Sequence, residues 1–331
     1  MIPNQWYVIL ESKEVKHGKP IGFTRFGEKL VAWRDAHGKI SVMRDRCPHR
    51  GVALSVGDIR GDCIECPFHG FQFDTSGRCT LIPANGRNAE PPEAMQVHTL
   101  PTHEAHELIY AWYGEPQNEY PALPFFDAID ESFSHRTVTD RWKAHYSRVI
   151  ENQLDVVHVP FIHRTTIGRG HKTLVNGPLS RLESCPGESD LLNIWVSNEV
   201  DTGQTPKRAS ELPEPTRHPS LQFRFPNLWH NWISDQMHII IAFAPIDDAN
   251  TLLYLRSYQH IATAPILRPA FDLVGAVANL VVERQDKRVV ITQEPKRADL
   301  NIGETLIQGD APIITYRRHR RELIEQTECT T

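Results

Sequence analysis

Two short stretches decide how this chain is read: Arg46-Cys47-Pro48-His49-Arg50-Gly51 and Cys66-Pro67-Phe68-His69-Gly70. Sixteen residues separate His49 from Cys66, so the spacing is C-x-H-x16-C-x-x-H. Two soft thiolates and two imidazoles are offered by two short loops. Each loop carries Pro and Gly, which fix a tight backbone. Amides in such loops can donate to sulfur. On donor types and spacing alone, two sites remain open. One is a tetrahedral structural zinc site. The other is a [2Fe–2S] centre in which two cysteines hold one iron and two histidines the other.

Working outward, the 331 residues suggest two domains at roughly 150 residues each. Forty per cent apolar residues suffice for packed cores, which excludes disorder of the whole chain. With 36 basic and 41 acidic residues the net charge is −5, which argues against a general nucleic-acid binder. The most apolar windows, Ile239–Ala244 and Val274–Val282, fall well short of the roughly 20 residues that cross a bilayer. Membrane association is therefore not expected. The start, Met1-Ile2-Pro3-Asn4-Gln5-Trp6, has neither basic cap nor apolar signal core, so a cytoplasmic location is expected. Six cysteines are too few for a disulfide scaffold, and four of them lie between 47 and 79. Of these, Cys63 and Cys79 stand outside the pattern and read as small buried residues.

Trp6–Leu10, Lys29–Trp33, Lys39–Met43 and Leu108–Trp112 are strand-like runs, with His37-Gly38 as a turn signal. They predict a small all-β domain over 1–115 with the metal loops at one tip. Residues 116–124 contain Pro116, Pro121 and Pro124 and read as a linker. Residues 125–331 form the second domain, and the fold class is α+β. In it, Leu191–Val196, Leu221–Phe225, Met237–Phe243 and Leu252–Tyr258 read as antiparallel strands. Gly203–Pro219, with four prolines, reads as a mobile loop over the mouth of a site. Trp229, His230 and Trp232 are candidates for lining a pocket, with core packing equally open for the tryptophans. Arg317-Arg318-His319-Arg320-Arg321 reads as a solvated helix face or a landing place for an acidic electron donor.

A second constellation lies in Glu151-Asn152-Gln153-Leu154-Asp155-Val156-Val157-His158-Val159-Pro160-Phe161-Ile162-His163. On a helix, Asp155 and His158 would share a face. His158 and His163 would diverge by about 140°. Pro160 between them predicts that the helix ends or bends there and lets the rings converge. Two imidazoles and one carboxylate make a set that binds Fe(II) with positions left open. Structural or surface histidines are the plainer alternative. Residues Phe271–Val290 predict a helix whose apolar stripe is 273, 274, 277, 280 and 281.

The cysteine–histidine segment resembles the Rieske family at Cys47, His49, Cys66 and His69. It does so as well at Arg50-Gly51, Pro67, Gly70 and the continuation Phe71–Arg78. Val52 and Phe68 stand where respiratory and photosynthetic members carry two bridging cysteines, so the resemblance is to ferredoxins and oxygenases. The run Glu151, Asn152, Asp155, His158, His163 resembles the mononuclear-iron motif of Rieske oxygenases. The resemblance covers nearly the whole chain and implies a short oxygenase α subunit without a β subunit. Its second domain would be a helix-grip, START-like catalytic domain with an antiparallel sheet.

The resemblance further implies Asp286 as third ligand to a mononuclear Fe(II), with Glu283 as the rival. It implies that Asp155 hydrogen-bonds a ligand imidazole and bridges to a cluster histidine, here His69, of a neighbouring subunit in a homotrimer. Electrons from NAD(P)H would come through a reductase or ferredoxin, with O2 as co-substrate. The substrate would be a small aromatic or heterocyclic compound, hydroxylated or demethylated. A ferredoxin-like carrier with an appended domain is the alternative, and a zinc-stabilised binding module is a second one.

Overall fold

A computed structural model describes residues 1–168, 173–184, 186–262, 264 and 266–328. The chain divides into two compact units. One is Asn4–Asn118 with Pro245–Asp247, and the other is Met1–Pro3, Glu119–Ala244 and Asp248–Thr331. Two short stretches thus depart from a simple division in chain order. Ile2, fully buried, packs with Trp142 and Leu253 in the core of the second unit.

The first unit is built of β1 (Gln5–Glu11), β2 (Ile21–Arg25), β3 (Glu28–Arg34), β4 (Ile40–Arg44), β5 (Asp58–Arg60), β6 (Cys63–Glu65), β7 (Gln72–Asp74), β8 (Cys79–Leu81), β9 (Thr99–Leu100), β10 (Thr102–Ala105) and β11 (Leu108–Tyr113). They form three small antiparallel sheets ordered β1-β11-β10, β2-β3-β4-β9 and β5-β6-β7-β8. Cross-strand aromatics fix the register of the first: Trp6 faces Trp112, their rings edge to face at 5.3 Å. Between the other two, Val31, Trp33, Met43, Ile64 and Phe73 enclose Cys47 and Cys66 in one apolar core.

The second unit wraps a seven-stranded antiparallel sheet. Its strands are β12 (Ser134–Trp142), β13 (Thr173–Glu183), β14 (Leu191–Val200), β15 (Leu221–Arg224), β16 (Leu228–Ser234), β17 (Met237–Asp247) and β18 (Asn250–Gln259), ordered β12-β18-β17-β16-β15-β14-β13. Helices α1 (Tyr146–Leu154), α2 (Val159–Ile162), α3 (Arg268–Val290) and α4 (Ala311–Glu328) complete it. Among the described residues no helix is long and apolar enough to cross a membrane.

Helix α3 reverses the amphipathicity read from its sequence. Leu273, Val274, Val277 and Val281 are 45–69% exposed, whereas Asp272, Ala276, Glu283, Asp286 and Val290 are buried. The inward stripe is polar because strands β12 and β18 offer polar partners. Gln259 Nε2 donates to Asp272 at 2.8 Å, Asn279 Nδ2 donates to Ser257 Oγ at 2.6 Å, and Lys287 pairs with Asp140 at 2.7 Å. The loop after β14 is tied down as well. The Lys207 N–H donates to Asn176 Oδ1, and the Lys207 carbonyl accepts from Gly177 and Gln308. Of the stretch 203–220, only Ser220 reaches the cavity described below.

The basic cluster of α4 is a solvated face only at Arg318 and Arg321. Arg317, His319 and Arg320 are buried. Arg317 clamps Glu151 of α1 with two contacts at 2.5 and 2.9 Å and reaches Glu304 at 2.7 Å; Arg148 bridges the same two carboxylates at 3.1 and 2.8 Å. Two arginines and two glutamates close a neutral cycle that fixes α1. Removing one member strands a buried charge, so Arg317→Met should cost about 3–5 kcal/mol. Calorimetry checks this against Arg321→Met, whose exposed pair with Glu325 should leave the melting temperature unchanged.

Candidate metal centres and active site

The two cysteine–histidine loops repeat one backbone design. The Cys47 N–H donates to Val52 O at 2.8 Å and the Gly51 N–H to Cys47 O at 2.9 Å; the Cys66 N–H donates to Phe71 O at 2.8 Å and the Gly70 N–H to Cys66 O at 3.0 Å. The glycine four residues after each cysteine takes φ of 74° and 70°, the left-handed region where a Cβ is disfavoured. Each loop therefore folds back over its own cysteine. The N–H groups of His49 and Arg50 face the Cys47 sulfur. Burial, and the Cys66 thiol beside it, raise Cys47 above the ordinary thiol range despite those amides. A nearby cation is what such a pair needs to ionise.

Cys47 and Cys66 are buried and free of disulfides, while His49 and His69 are exposed with ring centroids 4.8 Å apart. His49 stacks on Phe71 at 4.9 Å. Sulfur inside and imidazole outside is a donor set that fits a [2Fe–2S] cluster of mixed ligation. Cys79 is buried as expected, but Cys63 is half-exposed, its sulfur 3.4 Å from Thr80 Oγ1. Ile64 takes the inward position of β6, so its neighbours point away.

In the second unit, α1 stops at Leu154. Asp155 turns extended, and its Oδ1 accepts the N–H groups of Val157 at 2.8 Å and His158 at 3.2 Å. This Asx turn starts α2. The break expected at Pro160 thus falls at 155–158. Pro160 sits in the first turn of α2, where its missing N–H costs nothing. Asp155 and His158 consequently share no helix face. The His158 Nδ1 lies 3.7 Å from Asp155 Oδ1, beyond a hydrogen bond, and makes none.

The turn nonetheless brings the histidines together, with ring centroids 5.3 Å apart. Asp286 reaches them from α3. Its Oδ1 lies 3.0 Å from His163 Nε2 and 3.5 Å from His158 Nε2, and one ligand atom from each residue falls within 4.8 Å of the others. That oxygen is buried and accepts no hydrogen bond. An unsatisfied carboxylate oxygen facing two imidazole nitrogens suits a divalent cation, and two nitrogens with one oxygen suit Fe(II). Glu283, one turn earlier, stays outside this set. Burial, with the Asp286 and Asp140 carboxylates nearby, holds it well above the usual carboxylate range.

One residue escaped the sequence reading. Gln285 Oε1 lies 2.8 Å from His163 Nδ1 and also accepts from Thr166 Oγ1 at 3.0 Å. With Nδ1 donating, the lone pair of Nε2 is left for metal. Adjacency to Asp286 was its only sequence signal, since side chains next to each other on a helix point apart. Gln285→Leu should weaken iron binding by about 10–100-fold, measured by chelator competition; an unchanged affinity would contradict this role.

A cavity of about 730 Å³ opens beside the side chains of His158, His163 and Asp286. Trp229, Asn231, Ile239 and Ile241 line it from the sheet, with Asn279, Val282 and Glu283 from α3. His230 and Trp232 do not. Strand alternation turns them to the opposite face, where His230 contacts His238 and Gln222, each at 2.9 Å.

Residues 5–103 match the family model of the Rieske [2Fe-2S] domain, and residues 142–326 match the vanillate O-demethylase oxygenase C-terminal domain. The chain is 37% identical over 169 residues to aminopyrrolnitrin oxygenase of Pseudomonas fluorescens, covering 49% of this chain and 46% of that one. It is 32% identical over 206 residues to the iron-sulfur subunit TsaM1 of the toluene-4-sulfonate monooxygenase system of Comamonas testosteroni, covering 60% and 57%. The matched region thus spans about half the length of these relatives. Among solved structures, NdmA of Pseudomonas putida superposes with a TM-score of 0.75 at 23% identity, over 98% of this chain and 91% of that one. Dicamba monooxygenase bound to dicamba does so at 0.75 and 20%, over 100% and 99%. These two show a common fold. The C-terminal family model alone takes in more than half of the chain, and it follows a Rieske domain whose two cysteine–histidine loops are in place; the chain belongs to the Rieske oxygenases.

Proposed function

We propose that this chain is a terminal oxygenase component that hydroxylates or oxidatively demethylates a small aromatic or heterocyclic compound. Cys47, His49, Cys66 and His69 would hold the cluster, and His158, His163 and Asp286 the mononuclear Fe(II). When bound, these groups supply one-electron transfer and an open position for O2. The chain's own residues hold the ligands, exclude water with apolar walls and orient the substrate. The observation that carries the reading is the three-ligand set beside a roomy, mostly apolar cavity. A pure electron carrier has no use for that cavity.

The overall reaction takes R–H, O2, two electrons and two protons to R–OH and water. On a methoxy or N-methyl carbon the hydroxylated product loses formaldehyde. An external reductase or ferredoxin, drawing on NAD(P)H, would supply the electrons. Vanillate O-demethylase, aminopyrrolnitrin oxygenase and toluene-4-sulfonate monooxygenase, by their names, keep both demethylation and hydroxylation in view. A homotrimer belongs to the same proposal, and the exposed apolar stripe of α3 supports association.

The test is anaerobic reduction followed by O2 across methoxy- and N-methyl-aromatics, scoring formaldehyde and hydroxylated product. No product from enzyme loaded with both metal centres would sink the reading.

A further inference from the structure

The oxygenase mechanism leaves one buried acid without a task. Glu283 is 4% exposed, lines the cavity and is not a member of the metal-binding set. Its contacts with Gln153 Nε2, at 3.4 and 3.5 Å, lie at the limit of hydrogen bonding. A carboxyl has several acceptor sites, and leaving them poorly satisfied in a dry place is costly. Asn279 lies one turn earlier on the same face of α3. Its Nδ2 is committed to Ser257 Oγ, so its carbonyl oxygen is the group left for a ligand. Among the described residues that line the cavity there is no Lys or Arg, while Asp155, Glu283 and Asp286 are all acidic. An anionic substrate would meet no cationic side chain among those described residues.

Resting on the oxygenase reading above, we propose that Glu283 and Asn279 form an acceptor subsite for an N–H group, so that the cavity takes uncharged aromatic amines or N–H heterocycles and disfavours aromatic carboxylates and sulfonates. Protonated or ionised, Glu283 keeps an acceptor oxygen. Along the α3 axis, Glu283 and Asn279 stand about 4.5 and 10.5 Å from Asp286. An N–H held between them places the far end of one aromatic ring near the metal ligands. Trp229, Ile241 and Leu255 supply apolar walls for that ring.

Anaerobic calorimetry on the holoenzyme, with cluster and iron loaded, tests this with three matched probes. They are 4-methoxyaniline, 4-methoxytoluene (the same shape without N–H) and 4-methoxybenzoate. The aniline should bind about tenfold more tightly than the toluene, and the benzoate no better than the toluene. Glu283→Leu should weaken the aniline about tenfold and leave the toluene within about twofold. Glu283→Gln, which keeps an acceptor oxygen, should retain most of the aniline affinity.

Equal binding of aniline and toluene, tightest binding of the benzoate, equal weakening of both neutral probes by Glu283→Leu, or binding of none would each overturn the subsite. The wild-type comparison stands even if a variant fails to fold. Failure of the oxygenase reading looks different: iron is not taken up, or loaded enzyme forms no oxygenated product from any substrate.

Discussion

Asp286→Ala should empty the mononuclear site and spare the cluster. Iron analysis should fall from about three atoms per chain toward two, the visible spectrum should persist, and product formation should vanish. Asp286 is the carboxylate that completes the histidine pair among the described residues. Two imidazoles alone are a weak grip for Fe(II), a hard enough ion to require oxygen. Rescue by Glu283 is not expected, because that side chain is set one turn away and fixed by burial. Retention of the third iron in a folded Asp286→Ala protein would move the ligand role elsewhere and take the proposed site with it. Iron content, not activity alone, is the deciding measurement.

What the sequence disclosed, and what it hid, follows from which interactions are local. The cysteine–histidine loops were legible because their geometry lies within five residues, with Gly51 and Gly70 closing each turn. The strands were legible by alternation and β-branched content: Lys29–Trp33 falls within β3 and Leu108–Trp112 within β11. The family resemblance, and no local spacing, points to Asp286, and the structure brings its carboxylate to the two imidazoles from more than 120 residues downstream.

The orientation of α3 was not legible. Its sequence carries two stripes, and the apolar one looks like the core face until the partners of the polar one are known. Ser257 and Gln259 on β18 and Asp140 on β12 decide the matter. For the same reason Glu283 read as a rival ligand and not as cavity lining. The break after Leu154 was hidden differently. Asp155 competes with the helix for backbone N–H groups, and an Asx turn beats a proline bend when both are available. Arg317 of α4 read as solvated because its acceptors, Glu151 and Glu304, lie elsewhere in the chain.

Asp155→Asn should leave both metal centres filled and slow reoxidation of the reduced cluster in a single turnover by orders of magnitude. The reason lies in how the carboxylate divides its labour. Oδ1 is spent on the N–H groups of Val157 and His158, which hold the turn that aims His158. An asparagine carbonyl can accept the same two bonds, so the ligand geometry should survive. Burial opposes the charge on Asp155, but the His158 imidazole and the two N–H donors outweigh it and hold the carboxyl below its usual range. With its pKa depressed, the charge is present throughout neutral pH and is lost only as pH falls through that lowered value. Asparagine removes this charge and replaces the second oxygen with an amide donor. A donor cannot accept from the His69 imidazole of a neighbouring copy, the bridge that the family resemblance implies. Rapid mixing of reduced, substrate-bound enzyme with O2 measures the rate. Wild-type reoxidation in the variant would mean that electrons reach the iron by another route, whereas loss of iron would mean that Asp155 is needed for ligation itself.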